Sequence, residues 1–265
     1  MRPRLPAILA VVLLASLRSG SGSAPADDEA VELMRAVIRQ GSAVDQVVKV
    51  TMRLIAKDGD ERRRTAILYA KKRTAEEDMR MIRFDSPPDL ANSGILSLEN
   101  SDGDPDQWLY MPAYHTSRKV AAVNRSGTWM GTDFAYEDLV DPRLSQYRYR
   151  IIGREPLDGV ACSLVEAVPV DARLAGQSAY SKAVYWVDGS NDLFVRVDFY
   201  DRSGELFKRL TNSDLVRVGA YRRWGRAQMQ HLKRRHTTIL EFSDWKVDAG
   251  LSDRYFTVRY LERGT

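Results

Sequence analysis

The chain has 265 residues, with 40 Lys and Arg against 36 Asp and Glu and a formal net charge of +4. A content of 44% hydrophobic and 29% charged residues is typical of a globular protein and excludes a disordered or collagen-like chain. The length allows one large domain or two small ones. The positive balance by itself would suit a nucleic-acid-binding protein.

The first 26 residues have the pattern of a cleavable signal peptide. Two arginines precede the apolar run Leu5–Leu17, and Ala24-Pro25-Ala26 forms an A-x-A cleavage site. The run is short for a membrane span, although a membrane anchor is the alternative interpretation. We therefore expect export to the periplasm of a Gram-negative bacterium and a mature domain over residues 27–265.

The signal peptide accounts for most of the net charge. It holds Arg2, Arg4 and Arg18 and no acidic residue, so taking these three from the 40 basic residues leaves 37 against 36 acidic ones. A protein that binds the phosphate backbone of nucleic acid usually carries a clear excess of basic residues. The mature chain has no such excess, so we expect no nucleic-acid partner. The single cysteine, Cys162, allows no internal disulfide and is interpreted as a buried strand residue.

The mature chain is predicted to begin with a helix. Asp27 or Asp28 can cap it, and it runs to about Gln40, where Gly41 is a stop signal. Its apolar residues recur at helical spacing and share one face. These residues are Val31, Met34, Val37 and Ile38.

From Val48 onward the apolar residues alternate with polar ones, which predicts strands with one apolar face. Asp58-Gly59 is typical of a hairpin turn between the first two. The predicted strands are Val48–Ala56, Thr65–Ala70, Met79–Phe84, Gly94–Glu99, Gln107–Met111, Arg118–Val123, Tyr147–Arg154, Ala161–Val168, Lys182–Asp188, Leu193–Tyr200, Glu205–Leu210, Thr237–Phe242 and Tyr255–Tyr260.

About a dozen strands at short spacing indicate a single antiparallel sheet, which at that size must curl. The predicted fold class is mainly β, with one curved antiparallel sheet that forms a partial barrel and a helix that covers it. Two predicted loops interrupt the strands. They are Asn124–Leu144, with a short helix around Tyr136–Leu139, and Asp171–Tyr180, and loops of this length often serve binding.

The sequence carries no motif of a catalytic or metal centre. H-E-x-x-H, G-x-S-x-G, P-loop and C-x-x-C patterns are absent. His231 and His236 are five residues apart and would point to opposite faces of a strand. We therefore expect no enzyme activity, no metal and no cofactor.

A basic segment lies late in the chain, with Arg217, Arg222, Arg223 and Arg226 beside Tyr221 and Trp224. One interpretation is a docking surface for a membrane or an acidic partner. The other is the solvent face of a hairpin.

Methionine and aromatic residues concentrate in the first half of the chain. Such side chains line adaptable apolar cavities, although each of them could equally be a core residue. Their inward orientation follows from alternation alone, and a register error would invert a whole strand. The predicted cavity residues are Val50, Met52, Leu54, Met79, Met81, Leu96, Leu98, Trp108, Tyr110, Met130 and Phe134. The predicted lids are the helix face of Val31, Met34, Val37 and Ile38 and the Met130–Leu139 loop.

Three segments carry a family resemblance. Gln107–Pro112 reads Q-W-L-Y-M-P, Met130–Leu139 reads M-G-T-D-F-A-Y-E-D-L, and Leu240–Asp244 reads L-E-F-S-D. Together they resemble the LolA-like family of outer-membrane lipoprotein-sorting proteins, over about residues 30–263. Trp224-Gly225-Arg226 departs from the family, which often has Pro two residues after the Trp.

The resemblance implies an unclosed antiparallel barrel with helices over the opening and a hydrophobic cavity for acyl chains. It also implies a periplasmic carrier or chaperone that binds lipid or lipoprotein acyl chains and moves them towards the outer membrane, with an RND/MMPL-type transporter as partner. We expect a monomer. The alternative is a non-carrier accessory subunit that docks on a membrane transporter through the basic segment. A hydrolase would need a nucleophile and base that the sequence does not offer.

Overall fold

The computed structural model describes residues 27–40, 43–74, 77–101 and 103–264, so the predicted signal peptide lies outside the described residues. Its α-helices are α1 (Asp28–Gln40), α2 (Ala172–Gln177) and α3 (Val258–Arg263). Its strands are β1 (Asp45–Ile55), β2 (Glu61–Lys72), β3 (Asp78–Ser86), β4 (Gly94–Leu98), β5 (Asp106–Met111), β6 (Thr116–Lys119), β7 (Tyr147–Leu157), β8 (Val160–Pro169), β9 (Lys182–Asp188), β10 (Leu193–Tyr200), β11 (Leu206–Val218), β12 (Tyr221–His231) and β13 (His236–Val247).

All of these strands belong to one antiparallel sheet. Its order is β6-β5-β4-β3-β2-β1-β13-β12-β11-β10-β9-β8-β7, so the first and last strands of the chain pair at its centre. β6 and β7 are consecutive in the chain but lie at opposite edges, with no pairing between them. The predicted mainly β fold, a single antiparallel sheet that does not close into a barrel, is confirmed.

Side-chain alternation gives the sheet an inner and an outer face. Val50 of β1 lies opposite Ala66 of β2 and Phe242 of β13, and this inner face continues through the paired strands to Tyr149 of β7. Helix α1 covers one part of the inner face, where Met34 packs with Tyr149 and Val165. Residues 120–146, which connect the two edge strands and are called the crossing segment below, cover another part.

The turn between β7 and β8 shows how local sequence sets the strand pairing. Asp158 and Gly159 both have positive φ, at 50° and 82°. A two-residue turn with both φ angles positive matches the twist of antiparallel strands, and Asp-Gly adopts it at little cost. Tight pairing of Leu157 with Val160 follows from this turn.

Helix α1 begins and ends where the sequence indicates. The side chain of Asp27 accepts a hydrogen bond from the amide of Glu29 at 3.0 Å, and the backbone of Asp27 is tied to Tyr149 of β7 at 2.9 Å. The helix therefore starts at a fixed point on the sheet edge. No helix among the described residues is long and apolar enough to cross a membrane.

The structure corrects the predicted final strand. Residues Tyr255–Tyr260 contribute to a 3-10 turn, Asp253–Phe256, and to α3. The hydroxyl of Thr257 accepts from the amide of Tyr260 at 3.1 Å, and Gly264 ends α3 with φ 71°. These helix caps outweigh the alternation of aromatic residues, which had predicted a strand.

Other boundaries also differ from the sequence prediction. The strand predicted over Arg118–Val123 is β6, which ends at Lys119 and is followed by a 3-10 turn at Ala122–Asn124. The basic segment lies on two paired strands, with Arg217 at the end of β11 and the other three arginines on β12. β12 was not among the predicted strands because its polar residues hide the inward alternation of Ala227, Met229 and His231. The predicted loop Asp171–Tyr180 contains the short helix α2, whose first turn is capped when the Asp171 carboxylate accepts from the amide of Leu174 at 2.8 Å.

Candidate functional site

The crossing segment makes a compact reversal at the M-G-T-D-F motif. Met130 and Gly131 have φ angles of 48° and 71°. The hydroxyl of Thr132 donates to the carbonyl of Trp129 at 2.7 Å and accepts from the amide of Phe134 at 3.2 Å. The glycine is needed because an ordinary side chain is strained at positive φ. The reversal directs Trp129 and Phe134 into two separate apolar clusters of the inner face.

Two polar side chains of the sheet hold the crossing segment in place. Arg64 of β2 donates through Nη1 to the carbonyl of Met130 at 2.6 Å. Gln107 of β5, which is fully buried, donates through Nε2 to the carbonyl of Tyr136 at 3.0 Å. Gln107 belongs to the Q-W-L-Y-M-P segment, so two of the motifs that carry the resemblance meet here.

Asp133 fixes the reversal to β13. The amide of Asp133 donates to the hydroxyl of Thr238 at 2.9 Å, and that hydroxyl donates to Oδ2 of Asp133 at 2.8 Å. The same carboxylate oxygen lies 2.7 Å from Nδ1 of His236. Asp133 and Thr238 are both buried, so these bonds are shielded from water and leave costly unpaired groups if one partner is removed.

We expect Asp133→Ala to lower the free energy of unfolding by about 2–4 kcal/mol, because it removes the buried carboxylate that accepts from the Thr238 hydroxyl and contacts His236. Urea denaturation measures this loss. Thr238→Val removes the same bonds from the other side, so the double variant should cost much less than the two single losses added together. Additive losses would show that Asp133 acts elsewhere.

Glu137 and Asp138 join the crossing segment to the strands beyond it. The carboxylate of Glu137 accepts from the hydroxyl of Ser178 at 2.7 Å and from the amide of Ala179 at 2.6 Å. Asp138 accepts from the hydroxyl of Tyr180 at 2.7 Å and from the amide of Ala135 at 2.7 Å. The predicted short helix at Tyr136–Leu139 is present as a 3-10 turn, which places the two carboxylates.

The two carboxylates are held in an environment that disfavours charge. Burial, and then the neighbouring carboxylate of Asp138, raise the pKa of Glu137 to about 7, against the hydrogen bonds from Ala179 and Ser178. Burial likewise raises the pKa of Asp138, although the cation of Lys208 opposes this. Both side chains line the cavity described below.

We expect the stability of the protein to fall as pH rises from about 4.5 to 7, relative to Glu137→Gln. The folded state keeps the proton of Glu137 up to about pH 7, whereas an unfolded glutamate releases it near 4.5, so the folded state binds more protons in this window. The difference should reach about 1–3 kcal/mol. Urea denaturation of both proteins across this range measures it, and parallel stability curves would contradict the assignment.

A cavity of about 370 Å³ lies between the inner face of the sheet, the end of α1 and the crossing segment. Its volume is within the range of small-ligand sites. Most of its apolar wall consists of residues of β9 to β12, three residues of α1 and one of the M-G-T-D-F motif. These residues are Met34, Val37, Ile38, Phe134, Ala183, Tyr185, Leu193, Phe194, Val197, Phe199, Leu210, Trp224 and Met229.

Charged groups also line this cavity. Carboxylates and cations are both present, and these residues are Glu99, Arg125, Glu137, Asp138, Asp141, Arg143, Lys182, Arg222 and Arg223. The arrangement suits a ligand with a long apolar part and a polar end.

The structure separates the predicted cavity residues into three groups. Phe134 lines the cavity. Val50, Met52 and Leu54 face inward but are buried in a closed cluster, against which Met130 packs. The remaining residues form a cluster on the outer face, beneath Phe256 and Leu261 of the C-terminal segment. This outer set is Met79, Met81, Leu96, Leu98, Trp108 and Tyr110.

The outer placement follows from the register of β2 with β3. Ala66 and Leu68 of the inner face lie opposite Phe84 and Ile82, so the alternate residue Met81 points to the outer face. The sequence analysis assigned these residues to the cavity from alternation alone, which does not tell the two faces of a strand apart. The cavity-lining residues of β9 and β10 lie in predicted strands, and their alternation was the signal that could have indicated them.

The predicted lid residues lie together on α1. Met34, Val37 and Ile38 line the cavity, while Val31 packs in the neighbouring cluster with Met34. The Met130–Leu139 part of the crossing segment contributes Phe134, Glu137 and Asp138 to the same cavity. Both predicted lids therefore border it.

The four arginines of the basic segment have different surroundings. Arg217 and Arg222 are exposed and lie directly opposite each other on β11 and β12. Arg226 is half-buried, and its Nη2 donates to the side chain of Gln228 at 3.2 Å. Arg223 is 7% exposed and lines the cavity.

Three carboxylates near one end of the cavity have the spacing of a metal site, namely Asp78, Glu99 and Asp141. The guanidinium of Arg80 occupies the space among them and pairs with all three. A cation is therefore already provided by the chain. The cluster ties the end of the crossing segment to β3.

Comparisons with known proteins agree with this fold. A protein-family profile described as "-like: Uncharacterized protein" matches residues 76–263. A domain from Vibrio parahaemolyticus described as an outer membrane lipoprotein-sorting protein domain is 28% identical, with a TM-score of 0.83 over 89% of this chain and 99% of that one. No functionally curated protein matches the sequence significantly.

Two further solved structures share the fold at lower identity. A DUF1329 family protein from Desulfovibrio piger is 23% identical, with a TM-score of 0.83 over 90% of this chain and 100% of that one. A LolA superfamily protein from Nitrosomonas europaea is 21% identical, with a TM-score of 0.69 over 89% and 100% of the two chains. None of these three relatives is named for an enzymatic activity.

The unclosed sheet with a covered inner cavity is a LolA-like fold, shared with the outer membrane lipoprotein-sorting protein domain and with the LolA superfamily protein. The profile match spans more than half of the sequence, so the chain belongs to the family that this profile describes.

Proposed function

We propose that this protein is a periplasmic carrier that binds lipid, or the acyl chains of lipoproteins, in the inner cavity and moves them towards the outer membrane. The observation that carries the proposal is the cavity itself, which is bordered by α1 and the crossing segment and has an apolar wall on β9 to β12. The signal-peptide pattern of residues 1–26 supports export. An RND/MMPL-type transporter is the proposed partner, and a monomer the proposed state.

Acyl binding in this cavity has a sufficient driving force. Transfer of one methylene from water to an apolar site contributes about 0.8 kcal/mol, so a 16-carbon chain gains on the order of 12 kcal/mol before the costs of binding. Such a gain favours capture but opposes release. Met34, Val37 and Ile38 of α1 both line the cavity and cover it, so closure of the helix on the sheet competes with the ligand. We propose α1 as the lid through which release is controlled.

The experiment is lipid mass spectrometry of an organic extract of the mature protein, together with displacement of a fluorescent fatty acid. We expect co-purified lipid and a displaceable probe. Absence of both would overturn the carrier proposal. Fractionation of the producing bacterium tests the periplasmic location independently.

A second candidate function is docking on a membrane transporter without carriage of lipid. Arg217 and Arg222 favour it, because like charges directly opposite each other on paired strands destabilise a sheet. Among the described residues, neither forms an ion pair. Charge reversal at both positions should abolish function while lipid binding persists if docking is the role of this face. If the charge-reversal variant also loses lipid binding, these two arginines contribute to the carrier function and not to docking.

A further inference from the structure

We propose that Arg223 is the headgroup site of the cavity and binds the carboxylate or phosphate of a single-chain anionic amphiphile. This inference rests on the proposed acyl-binding function and adds the chemical class of the ligand. Arg223 is only 7% exposed, so it is not part of a basic surface that faces solvent.

The position of Arg223 is fixed by the chain on one side only. Its Nη1 donates to the carbonyl of Gln40, the last residue of α1, at 2.8 Å and to the carbonyl of Arg222 at 2.9 Å. Its guanidinium also lies over the ring of Tyr221, 4.7 Å from the ring centre. These contacts hold the group at the border between α1 and β12, where both elements line the cavity.

The other side of the guanidinium is unpaired. Nε and Nη2 are both buried, and neither has a hydrogen-bond partner within the part of the chain that the structure describes. A buried charged group without its hydrogen bonds is costly, and proteins rarely keep one without a reason. An anion that accepts from both nitrogens would remove this cost.

The same protein shows what this pair of nitrogens binds. Nε and Nη2 of Arg209 donate to the two carboxylate oxygens of Asp198 at 2.7 and 2.9 Å. Nε and Nη2 of Arg53 donate to the two oxygens of Glu61 at 2.8 and 2.7 Å. Carboxylates and phosphates share the geometry that this fork requires. In Arg223 the same two nitrogens are present, but no carboxylate of the described residues accepts from them.

The surroundings of Arg223 supply the apolar part of the site. Met34, Val37 and Trp224 line the same cavity. Glu137 and Asp138, which would repel an anion, are bound to Ser178 and Tyr180 instead and not to Arg223. An amphiphile can therefore place its head at Arg223 and its chain along the apolar wall. Because Arg223 also bonds the end of α1, an occupied headgroup site is in direct contact with the proposed lid.

The test compares three ligands with the same 12-carbon chain: dodecanoate, dodecyl phosphate and dodecanol. Their affinities for the mature protein are measured by displacement of a fluorescent fatty acid below micelle-forming concentrations. We expect the wild type to prefer the better anion over the alcohol by about tenfold or more. The ratio of dodecanoate to dodecyl phosphate identifies whether the site is suited to a carboxylate or a phosphate.

Arg223→Gln should bring the anion-to-alcohol ratio close to one while the affinity for dodecanol changes little. Arg223→Lys keeps the charge without the fork and should retain only part of the preference. Arg217→Gln removes the same charge from an exposed position of β11 that does not line the cavity, and it should leave the ratio at the wild-type value. The comparison of the three ligands on the wild type needs no variant. It can therefore overturn the inference even if a variant misfolds.

The two proposals fail in different ways. If the wild type binds none of the three ligands, the acyl-binding function is overturned and the headgroup site with it. If the wild type binds anions and alcohol alike, or if Arg223→Gln weakens all three equally, only the headgroup site is overturned.

Discussion

Ala183→Phe is expected to lower the affinity for a 16-carbon fatty acid by about tenfold or more while the protein stays folded. Ala183 lies on the inner face of β9 and lines the cavity, so the added ring occupies space that the acyl chain needs. Exclusion of only two or three methylenes removes about 2 kcal/mol of binding free energy, which is a factor of roughly 30. Fluorescent fatty-acid displacement measures the change.

Two control variants make this result specific. Ala161→Phe places the same ring at an exposed position of β8 and should leave the affinity unchanged. Met81→Ala removes a fully buried side chain from the outer cluster, and we expect it to cost about 2–5 kcal/mol of stability with little effect on affinity. If Met81→Ala weakened binding and Ala183→Phe did not, the site would lie on the other face of the sheet.

Arg80→Met is expected to cost about 3–5 kcal/mol of folding free energy. Arg80 is 18% exposed and pairs with Asp78 at 3.3 Å, with Glu99 at 2.8 Å and with Asp141. Although burial opposes its charge, these carboxylates keep the pKa of Arg80 above its ordinary value. Removal of the cation leaves Glu99 buried beside two other carboxylates, and an uncompensated buried charge is strongly destabilising.

Arg53→Met is the matched control for Arg80→Met. Arg53 pairs with Glu61 on a more open part of the sheet, where the side chains are 29% and 32% exposed, so we expect a much smaller loss than for Arg80→Met. Adding Glu99→Gln to Arg80→Met should recover part of the stability. Urea denaturation gives all three values, and equal losses for the two arginine variants would sink the prediction.

The M-G-T-D-F-A-Y-E-D-L motif acts mainly through positioning. Gly131 allows the reversal, Asp133 binds it to Thr238, and Asp138 accepts from Ala135 and Tyr180. The segment must cross the inner face from one sheet edge to the other, and these polar contacts fix its path. A motif of this kind is recognisable in sequence because most of its residues make specific contacts or have a required backbone conformation.

The sequence by itself determined the class of fold and the elements with strong local signals. Helix α1, the turn at Asp158-Gly159 and most of the strands follow from spacing, caps and alternation within a few residues. The sequence motifs also indicated the family, because the longest of them lies in the crossing segment. Local signals also failed locally, as at Tyr255–Tyr260, where the caps of α3 outweighed alternation.

Only the tertiary structure decided which apolar face encloses the cavity. Alternation shows that Met81 and Ile82 point to opposite sides of β3, but not which side is inner, since this depends on the register with β2 and on the partners of each face. The C-terminal segment covers the outer cluster, and the crossing segment closes the inner one over β1 and β2. The open space therefore remains above β9 to β12, where Arg223 is buried and not part of an exposed basic surface. Contacts between residues far apart in the sequence determine which side chains are buried. Burial in turn makes Arg223 a cavity residue and not a surface charge.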